Sequence, residues 1–323
     1  MSRILNGDAM INSARRRTMT PEDTSTFTDA DILDILDEEM NAQVLDKLKV
    51  LHGDNLTVVV DIPRNDEGSY DIPYRAVGNT LRDLSMVQGD VLYELSQISI
   101  GELPDHTYSS DSNAYMDMFY MENSQIKLVG PSRSYTSIRM RFMLRPNVLT
   151  KQEEAGTISD IVTDDIAGTT TLVLSSVGRN FVSGVEYDII GAKSPNKIKA
   201  FDKLPTSVSI GSSGSIVFNT ADLSNELRDI KKGDYVSLAG ETPVPNIPTE
   251  MHPLLAQAAA VQLLESMTDT EALTNAQKRM EKMTASIQTL VDNRVDLAPK
   301  KIKPRHSALT SAIGTRRKNR GRY

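Results

Sequence analysis

The residue types that most often carry catalysis are few in this sequence and widely spaced. The chain has no cysteine, which excludes thiolate nucleophiles, thiolate metal ligands and disulfides. Its four histidines lie far apart, and none has the H-E-x-x-H spacing of a metal site: His52, His106, His252 and His306. The sequence therefore predicts no catalytic residue, no metal ligand and no cofactor, and we expect a protein that is not an enzyme.

Three further patterns resemble binding motifs but favour structural interpretations. Residues 211–214 (Gly-Ser-Ser-Gly) lack the Lys-Ser/Thr pair of a phosphate-binding loop and lie between predicted strands, so they predict a hairpin turn. The acidic residues within 29–39 lack the glycine and terminal glutamate of an EF-hand loop, so they indicate the polar face of a helix. Aromatic residues at 115–120 lack interleaved Lys or Arg, which is more typical of strand packing than of base stacking.

The C-terminal segment combines nine cations and a terminal tyrosine with no acidic residue. Its proposed docking residues are Lys300, Lys301, Lys303, Arg305, Arg316, Arg317, Lys318, Arg320, Arg322 and Tyr323. The remainder of the chain holds 27 Lys and Arg against 43 Asp and Glu, a formal charge of −16 beside +9 for this segment. Arginines make bidentate contacts to carboxylates and phosphates. The charge separation predicts an extended basic arm, residues 298–323, that docks onto a partner.

Two helices precede the arm. Residues 254–267 are apolar on most sides, which predicts a buried helix. Thr268 and Glu271 have the spacing of a capping box that would begin the next helix. That helix carries an apolar seam at alternating spacings of three and four: Leu273, Ala276, Met280, Met283, Ile287 and Leu290. The seam predicts helix pairing, either with another subunit or as an ordinary core stripe within one chain.

The first half of the chain predicts an arm, a helix and several strands. Residues 1–27 show no sustained period and predict an arm that becomes ordered on a partner. Thr28 and Asp31 have capping-box spacing before an apolar stripe that runs to a glycine at position 53. Residues 56–60 predict a strand, and Val77, Leu81 and Leu84 favour one face of a helical or mixed segment. Residues 114–144 predict strands separated by turns.

Residues 151–245 change character, with Thr, Ser, Gly, Val and Ile dominant and helical periodicity lost. Seven short strands are predicted there, at 157–162, 170–175, 185–190, 197–201, 207–210, 215–218 and 235–238. Such spacing is typical of a small β-barrel or sandwich. Prolines within 240–248 predict a stiff linker back to helix.

The fold class expected is α+β: a helical frame with strands, interrupted by an inserted small β-barrel or sandwich, and ending in an extended basic C-terminal arm. The domains expected are an N-terminal arm at 1–27, a helical and β-rich part at 28–150, an inserted all-β domain at 151–245, a helical hairpin at 246–297 and the basic arm at 298–323.

Several blocks of this sequence resemble a recurrent pattern in virion proteins of tailed phages. They are Phe119-Tyr120-x₅-Ile126, Arg139-x-Arg141-Phe142-Met143-Leu144-Arg145-Pro146-Asn147-x-Leu149, Ala155-Gly156-Thr157-Ile158, Gly233-Asp234-Tyr235-Val236-Ser237, Thr242-Pro243, His252-Pro253-Leu254-Leu255-Ala256-Gln257, Asp292-Asn293-Arg294-Val295 and Pro299-Lys300-Lys301-Ile302. The family that they resemble is that of head-to-tail connector, or neck and adaptor, proteins. The resemblance covers roughly residues 115–323, and its motifs are structural rather than catalytic.

The resemblance implies a structural virion protein in the phage neck, made in the bacterial host cytoplasm. It implies a homo-oligomeric ring of twelve copies below the portal, with the C-terminal arm docked on the portal protein. Another surface would receive the next neck or tail protein. DNA in the neck channel is a further potential partner of the arm.

An alternative comes from the arm alone. A nucleic-acid-binding module would use the same cations on phosphates, and its affinity would fall steeply with salt. No apolar run reaches the roughly 20 residues that span a bilayer, so no membrane partner is expected.

Overall fold

The computed structural model describes residues 4–19, 26–52, 56–102, 118–129, 134–177, 181–195, 197–210, 214–223 and 226–291. Within these ranges the chain is mixed α+β, with more strand than helix and four continuous helices. Residues Met1–Val291 form one compact unit. The predicted basic arm lies outside the described residues.

The helices lie near the two ends of the unit's sequence, at residues 7–52 and 252–291. Their segments are α1 (Gly7–Thr18), α2 (Asp29–Glu39), a π-helical turn (Met40–Val44), α3 (Leu45–His52), α4 (His252–Ser266) and α5 (Thr270–Val291). The π-helical turn joins α2 to α3 in one continuous helix. The helices α1, α2 and α5 all pack on α4, whose few polar positions leave it buried on most sides. Helices from opposite ends of the sequence therefore share one core.

Helix α1 corrects the expectation of an arm over residues 1–27. The Asn6 side chain accepts a hydrogen bond from the Ala9 amide and begins the helix. Met10, Ile11 and Ala14 are buried in the helical core at spacings that place them on one face. The segment is thus ordered by its own chain, because its short apolar stripe has the interior of the bundle as its partner.

The predicted start of α2 is confirmed. The hydroxyl of Thr28 accepts from the Asp31 amide at 3.2 Å, and the Asp31 carboxylate accepts from the Thr28 amide at 2.7 Å. This is the reciprocal pair of a capping box, with aspartate in the position usually held by glutamate. The apolar stripe that follows is also buried as predicted, from Ile32 to Leu48.

The predicted capping box of α5 is wrong in its residue. The Ala272 amide donates to Asp269 Oδ1 at 3.0 Å, so Asp269 caps the helix. Thr268 instead takes a left-handed backbone conformation with φ of 59°, which ends the turn after α4. A short acidic side chain immediately before the first helical residue, Thr270, is in the better position for the free amides.

Two four-stranded sheets follow the first helices, in the orders β1-β8-β3-β4 and β2-β7-β6-β5. Their strands are β1 (Thr57–Pro63), β2 (Ser69–Asp71), β3 (Ala76–Gln88), β4 (Val91–Glu94), β5 (Ser96–Gln97), β6 (Met118–Glu122), β7 (Gln125–Val129) and β8 (Ser137–Leu144). The predicted strands at 56–60 and 118–144 are confirmed. Buried residues of both sheets share one core, centred on Phe142 and Ile126.

The predicted helical or mixed segment around Val77 is wrong, because β3 is a strand of 13 residues. Its pairing with β8 shifts register between Ala76 and Leu81 and again between Leu81 and Asp83. Gly78 lies in this irregular stretch with φ of 64°. A bulge adds residues between inward-facing positions, so a strand with period two imitates helical spacing.

The region 156–238 forms a seven-stranded antiparallel sheet in the order β13-β12-β16-β10-β11-β15-β14. Its strands are β10 (Gly156–Asp164), β11 (Thr169–Ser176), β12 (Tyr187–Ile190), β13 (Ile198–Lys203), β14 (Ser207–Ser209), β15 (Ser215–Asn219) and β16 (Tyr235–Leu238). Each corresponds to one of the seven strands predicted from the sequence. Tyr187, Phe181 and Phe218 are the largest side chains buried in its core.

The proline-rich segment 240–248, predicted to be a stiff linker back to helix, is buried over most of its length. Residues 242–247 are buried, and β17 (Glu241–Thr242) pairs in parallel with β9 (Val148–Leu149). The amide of Gly7 donates to the carbonyl of Pro243 at 2.8 Å, and a side chain at Gly7 would meet the carbonyl of Thr150 at 2.3 Å. Prolines are tolerated here because they have no amide that needs an acceptor, while the carbonyl of Pro243 accepts from Gly7.

We expect the cap of α5 to be measurable by substitution. Asp269→Ala should lower the free energy of unfolding by about 1 kcal/mol, because the Ala272 amide loses its acceptor. Thr268→Gly is the matched control, and it should leave stability unchanged or slightly raised, because glycine tolerates the left-handed conformation. Urea unfolding of both variants checks the assignment. Loss of stability on Thr268→Gly with none on Asp269→Ala would return the cap to Thr268.

Candidate interaction surfaces

The described part of the predicted seam contacts the chain's own core. Ala276 and Ile287 are buried, Met280 and Met283 pack against the helical core, and Leu273 is half-buried at the start of α5. The side chain of Leu290 lies outside the described residues. The seam therefore has the contacts of a core stripe within one chain, facing α4. The docking residues Lys300 to Tyr323 also lie outside the described residues, so the structure brings none of them to a site.

A buried polar cluster joins the first half of the chain to the seven-stranded sheet. The Asp188 carboxylate, on β12, is fully buried and accepts from both terminal nitrogens of Arg75, at 3.0 and 2.9 Å. Arg75 comes just before β3 and is 5% exposed. Its guanidinium also donates to Asp202 Oδ1 at 2.7 Å and to the Asn147 side chain, and it lies over the ring of Phe201.

The remaining lone pairs of Asp188 are used by three further donors. They are the Asp202 amide at 2.9 Å, the Asn147 side-chain amide at 2.6 Å and the Gly240 amide at 3.0 Å. Burial alone would lower the pKa of Arg75, but the hydrogen bonds and charges of Asp188 and Asp202 raise it above its ordinary value. Both charges are thus satisfied, which is the condition for burying an ion pair. We call Arg75, Asn147, Asp188, Asp202 and the Gly240 amide the polar joint.

His252 is a second buried titratable group, at the start of α4. Its Nδ1 accepts from the Leu5 amide at 3.2 Å, which leaves Nε2 to donate to the carbonyl of Ile247 at 3.3 Å. Burial lowers the pKa of His252 to about 4, so the ring is neutral at physiological pH. The histidine therefore ties the N-terminal segment to the buried 240–248 segment and has no free nitrogen for a metal.

Asp37 is half-buried on α2, and both of its carboxylate oxygens lie 2.9–3.0 Å from the Leu149 amide on β9. Burial raises the pKa of Asp37 to about 7, although the bond from Leu149 acts in the opposite direction. The group links a helix to a strand end rather than facing a substrate.

A cleft of about 620 Å³ lies between α1 and α5 and is lined by Arg16, Arg17 and Arg279. Arg17 Nη1 donates to the Pro253 carbonyl and to Gln257 Oε1, each at 2.9 Å. Burial, and then the charge of Arg279, lower the pKa of Arg17. Three cations thus converge here, and the single acidic side chain of the lining is Asp8. We call this the arginine cleft.

The hairpin between β10 and β11 projects an apolar tip. Ile166 is fully exposed, and the amides of Ile166 and Ala167 both donate to Asp164 Oδ1 at 3.0 Å. The aspartate holds the turn in one conformation. The tip is an exposed turn at one end of β10 and β11, held by two hydrogen bonds.

In the described ranges, no group of three or more His, Asp and Glu side chains is placed to hold a metal ion. Also within those ranges, no helix is both long and apolar enough to cross a bilayer. No model of a known protein family matches the chain. A search of curated proteins likewise finds no match.

Sequence reasoning missed both the arginine cleft and the polar joint. The cleft had a usable signal, because Asn6, Met10, Ala14 and Thr18 repeat at a spacing of four before a basic last turn. The joint had none, because Arg75 and Asp188 are 113 residues apart and each looks like an ordinary surface charge.

We expect disruption of the polar joint to be strongly destabilising. Asp188→Ala should lower the free energy of unfolding by about 3–5 kcal/mol, because it leaves the Arg75 charge buried with one carboxylate fewer. The matched control is Asp61→Ala, which removes the partially exposed pair with Arg139 and should cost about 1 kcal/mol or less. Urea unfolding measures both. Equal losses in the two variants would contradict a special role for the joint.

We expect the imidazole of His252 to reduce stability in acid. The pKa in the folded protein, about 4, is below the ordinary value of 6.5, so the unfolded chain binds more protons between these values. The free energy of unfolding therefore falls as pH is lowered through this window, by roughly 3 kcal/mol in all. Asp37 acts with the opposite sign between its ordinary value of 3.8 and about 7.

NMR titration of the histidine signals measures the contribution of His252 separately from that of Asp37. One histidine signal should have its midpoint near pH 4, and the stability difference between wild type and His252→Gln should grow as pH rises from 4 to 6.5. Four histidine midpoints close to 6.5 would contradict the burial of His252.

Proposed function

We propose that this chain is a non-enzymatic structural protein of a tailed-phage virion, which forms a ring in the neck and joins the portal to the tail. The basic arm, residues 298–323, docks on the portal, and other surfaces receive the next copy and the next neck or tail protein. The protein is made in the bacterial cytoplasm and acts in the virion. The copy number of twelve rests on the family resemblance of the sequence alone.

The observation that carries this proposal is the separation of charge between a compact body and the arm. Residues 297–323 hold nine cations and no acid, whereas the rest of the chain has a formal charge of −16. The described part of α5 packs on the helical core through its apolar stripe, and the arm follows this helix in the sequence. Such an arm suits a docking segment that leaves its own body and binds a partner.

The described fold supports an adaptor frame with an insertion. Helices α1 and α2 from one end of the chain pack on α4 from the other, and β9 pairs with β17. The chain therefore leaves the frame after Leu149 and returns to it at Glu241, two neighbouring points. We interpret the seven-stranded sheet between them as the inserted small barrel or sandwich, because strands near both ends of its order, β13 and β15, contribute to one core.

The arrangement supports assembly rather than catalysis. The buried ionisable groups Arg75, Asp188 and His252, and the half-buried Asp37, form their hydrogen bonds with other residues of the chain. The exposed features are charged or apolar contact points, such as the arginine cleft and Ile166.

The second candidate, nucleic-acid binding, is favoured by the arginine cleft together with the arm. Both present guanidinium groups that make bidentate contacts to phosphate. The acidic body opposes it, because a negative potential repels a polyanion over the range of a Debye length. We therefore retain DNA as a potential contact of the arm within the channel and not as the target of the body.

Truncation after Ala298 tests the role of the arm. The body should keep its thermal unfolding midpoint, because the buried residues of the described cores lie between Met10 and Ile287, and it should no longer co-sediment with portal rings. A second variant replaces Arg316, Arg317, Lys318, Arg320 and Arg322 by glutamine at unchanged length, and should weaken binding if the charges matter. Normal docking of the truncated protein would show that the arm is not the docking element.

Filter binding of the full chain to duplex DNA at two salt concentrations distinguishes the second candidate. Affinity for DNA that is tight and falls by decades with salt, combined with no binding to portal rings, would favour the nucleic-acid function.

A further inference from the structure

The three consecutive arginines of α1 have different partners. Successive residues of a helix point in directions about 100° apart, so Arg15, Arg16 and Arg17 cannot serve one contact. Arg15 is buried and forms a salt bridge with Asp29 of α2 at 2.9 Å. Arg16 and Arg17 instead line the arginine cleft, with Arg279 on its opposite wall. One arginine therefore builds the fold, and the other two present charge outward.

The cleft holds more positive charge than its own residues balance. Arg17 is fixed between α1 and α4 by neutral acceptors, the Pro253 carbonyl and the Gln257 side chain. Throughout the part of the chain that the structure covers, no carboxylate forms a salt bridge with Arg16, Arg17 or Arg279. The mutual repulsion of Arg17 and Arg279 is a cost that an incoming anion would relieve.

A matching acidic surface lies on α2. Asp31, Asp34 and Glu38 occupy positions i, i+3 and i+7, which share one helix face, and all three residues are exposed. Two of these carboxylates have hydrogen bonds within the chain. The Asp31 carboxylate caps its own helix through Thr28, and Glu38 accepts a hydrogen bond from Gln262 at 3.2 Å. We call this face the acidic ridge.

We infer that the arginine cleft receives the acidic ridge of a second copy of this chain, with carboxylates from α2 of one subunit meeting guanidinium groups on α1 and α5 of the next. The inference rests on the proposed function, because it assigns the contact between copies of the proposed ring. The cleft and the ridge are different surfaces, so the contact is heterologous, the type that generates rings when its rotation closes. Helix α1 lies between them, since it packs on α2 with one side and lines the cleft with another.

The chemistry favours a carboxylate ridge over a nucleic acid. Asp8 in the cleft wall repels any anion, phosphate or carboxylate. This repulsion is smaller for a ridge with three carboxylates than for a polyanion with many phosphates. The ridge offers three exposed carboxylates to three guanidinium groups, so the two surfaces match in the number of their charges.

Charge exchange within the full chain tests the inference. Arg16→Glu with Arg279→Glu, and separately Asp34→Lys with Glu38→Lys, should each weaken self-association by about tenfold or more in sedimentation velocity. The chain with all four substitutions has its complementarity restored and should return to within about threefold of wild type. Lys278→Glu, an exposed cation next to Arg279 that does not line the cleft, should have little effect.

The four substituted residues are exposed, so thermal unfolding should stay at the wild-type midpoint. Arg17 is left unchanged because it connects α1 to α4. Normal ring assembly by either charge-reversed pair, or failure of the fourfold variant to recover, would overturn the inference while leaving the ring intact. Loss of DNA binding without loss of assembly would reassign the cleft to a nucleic acid and also overturn it. A wild-type chain that forms no ring, alone or with portal rings, would instead remove the proposed function and this contact together.

Discussion

The buried carboxylate of Asp188 imposes the strictest constraint on this fold. A charge in the interior is tolerated only when its partner and its remaining lone pairs are satisfied. Here the donors come from four separate stretches of chain: Arg75 before β3, Asn147 before β9, the Asp202 amide on β13 and the Gly240 amide before β17. Each stretch must reach its place for the pair to be stable, so the joint fixes the seven-stranded sheet against the first two sheets.

Such a joint differs from an apolar contact in what it specifies. Apolar surfaces gain free energy roughly in proportion to buried area and permit sliding, whereas the five donors around Asp188 fix one geometry. Asp202 shows the cost of that geometry, since it adopts a left-handed conformation with φ of 50° and places both its amide and its carboxylate in the cluster. Apolar residues Ile198 and Phe201 of β13 pack beside it on the core of the first sheets. The polar atoms around Asp188 thus fix the position of β13, and the apolar residues beside them contribute to the stability of the contact.

The parts of this fold that were predictable are those governed by local signals. Thr28 with Asp31 marks a helix start because the capping bonds join residues three apart, and runs of β-branched residues between glycine turns mark the seven strands from β10 to β16. The misses arise where distant or irregular structure decides. The bulges of β3 gave Val77, Leu81 and Leu84 a helical spacing, and α1 looked like an arm because its apolar stripe is short and its burial depends on α4. The burial of Pro243 and Pro245 was not predictable, because composition does not report burial.

The same logic limits what could be known of the interaction surfaces. The basic arm was visible because nine cations in one stretch need no fold to be recognised. The arginine cleft needed the packing of α1 on α4, which brings Arg17 near Arg279 across more than 250 residues of sequence. The pairing of β9 with β17 brings Leu149 beside Thr242, although the seven-stranded sheet lies between them in the sequence. Asn147, just before β9, and Gly240, just before β17, both donate to the Asp188 carboxylate. The polar joint therefore helps to hold the two segments that flank the sheet next to each other.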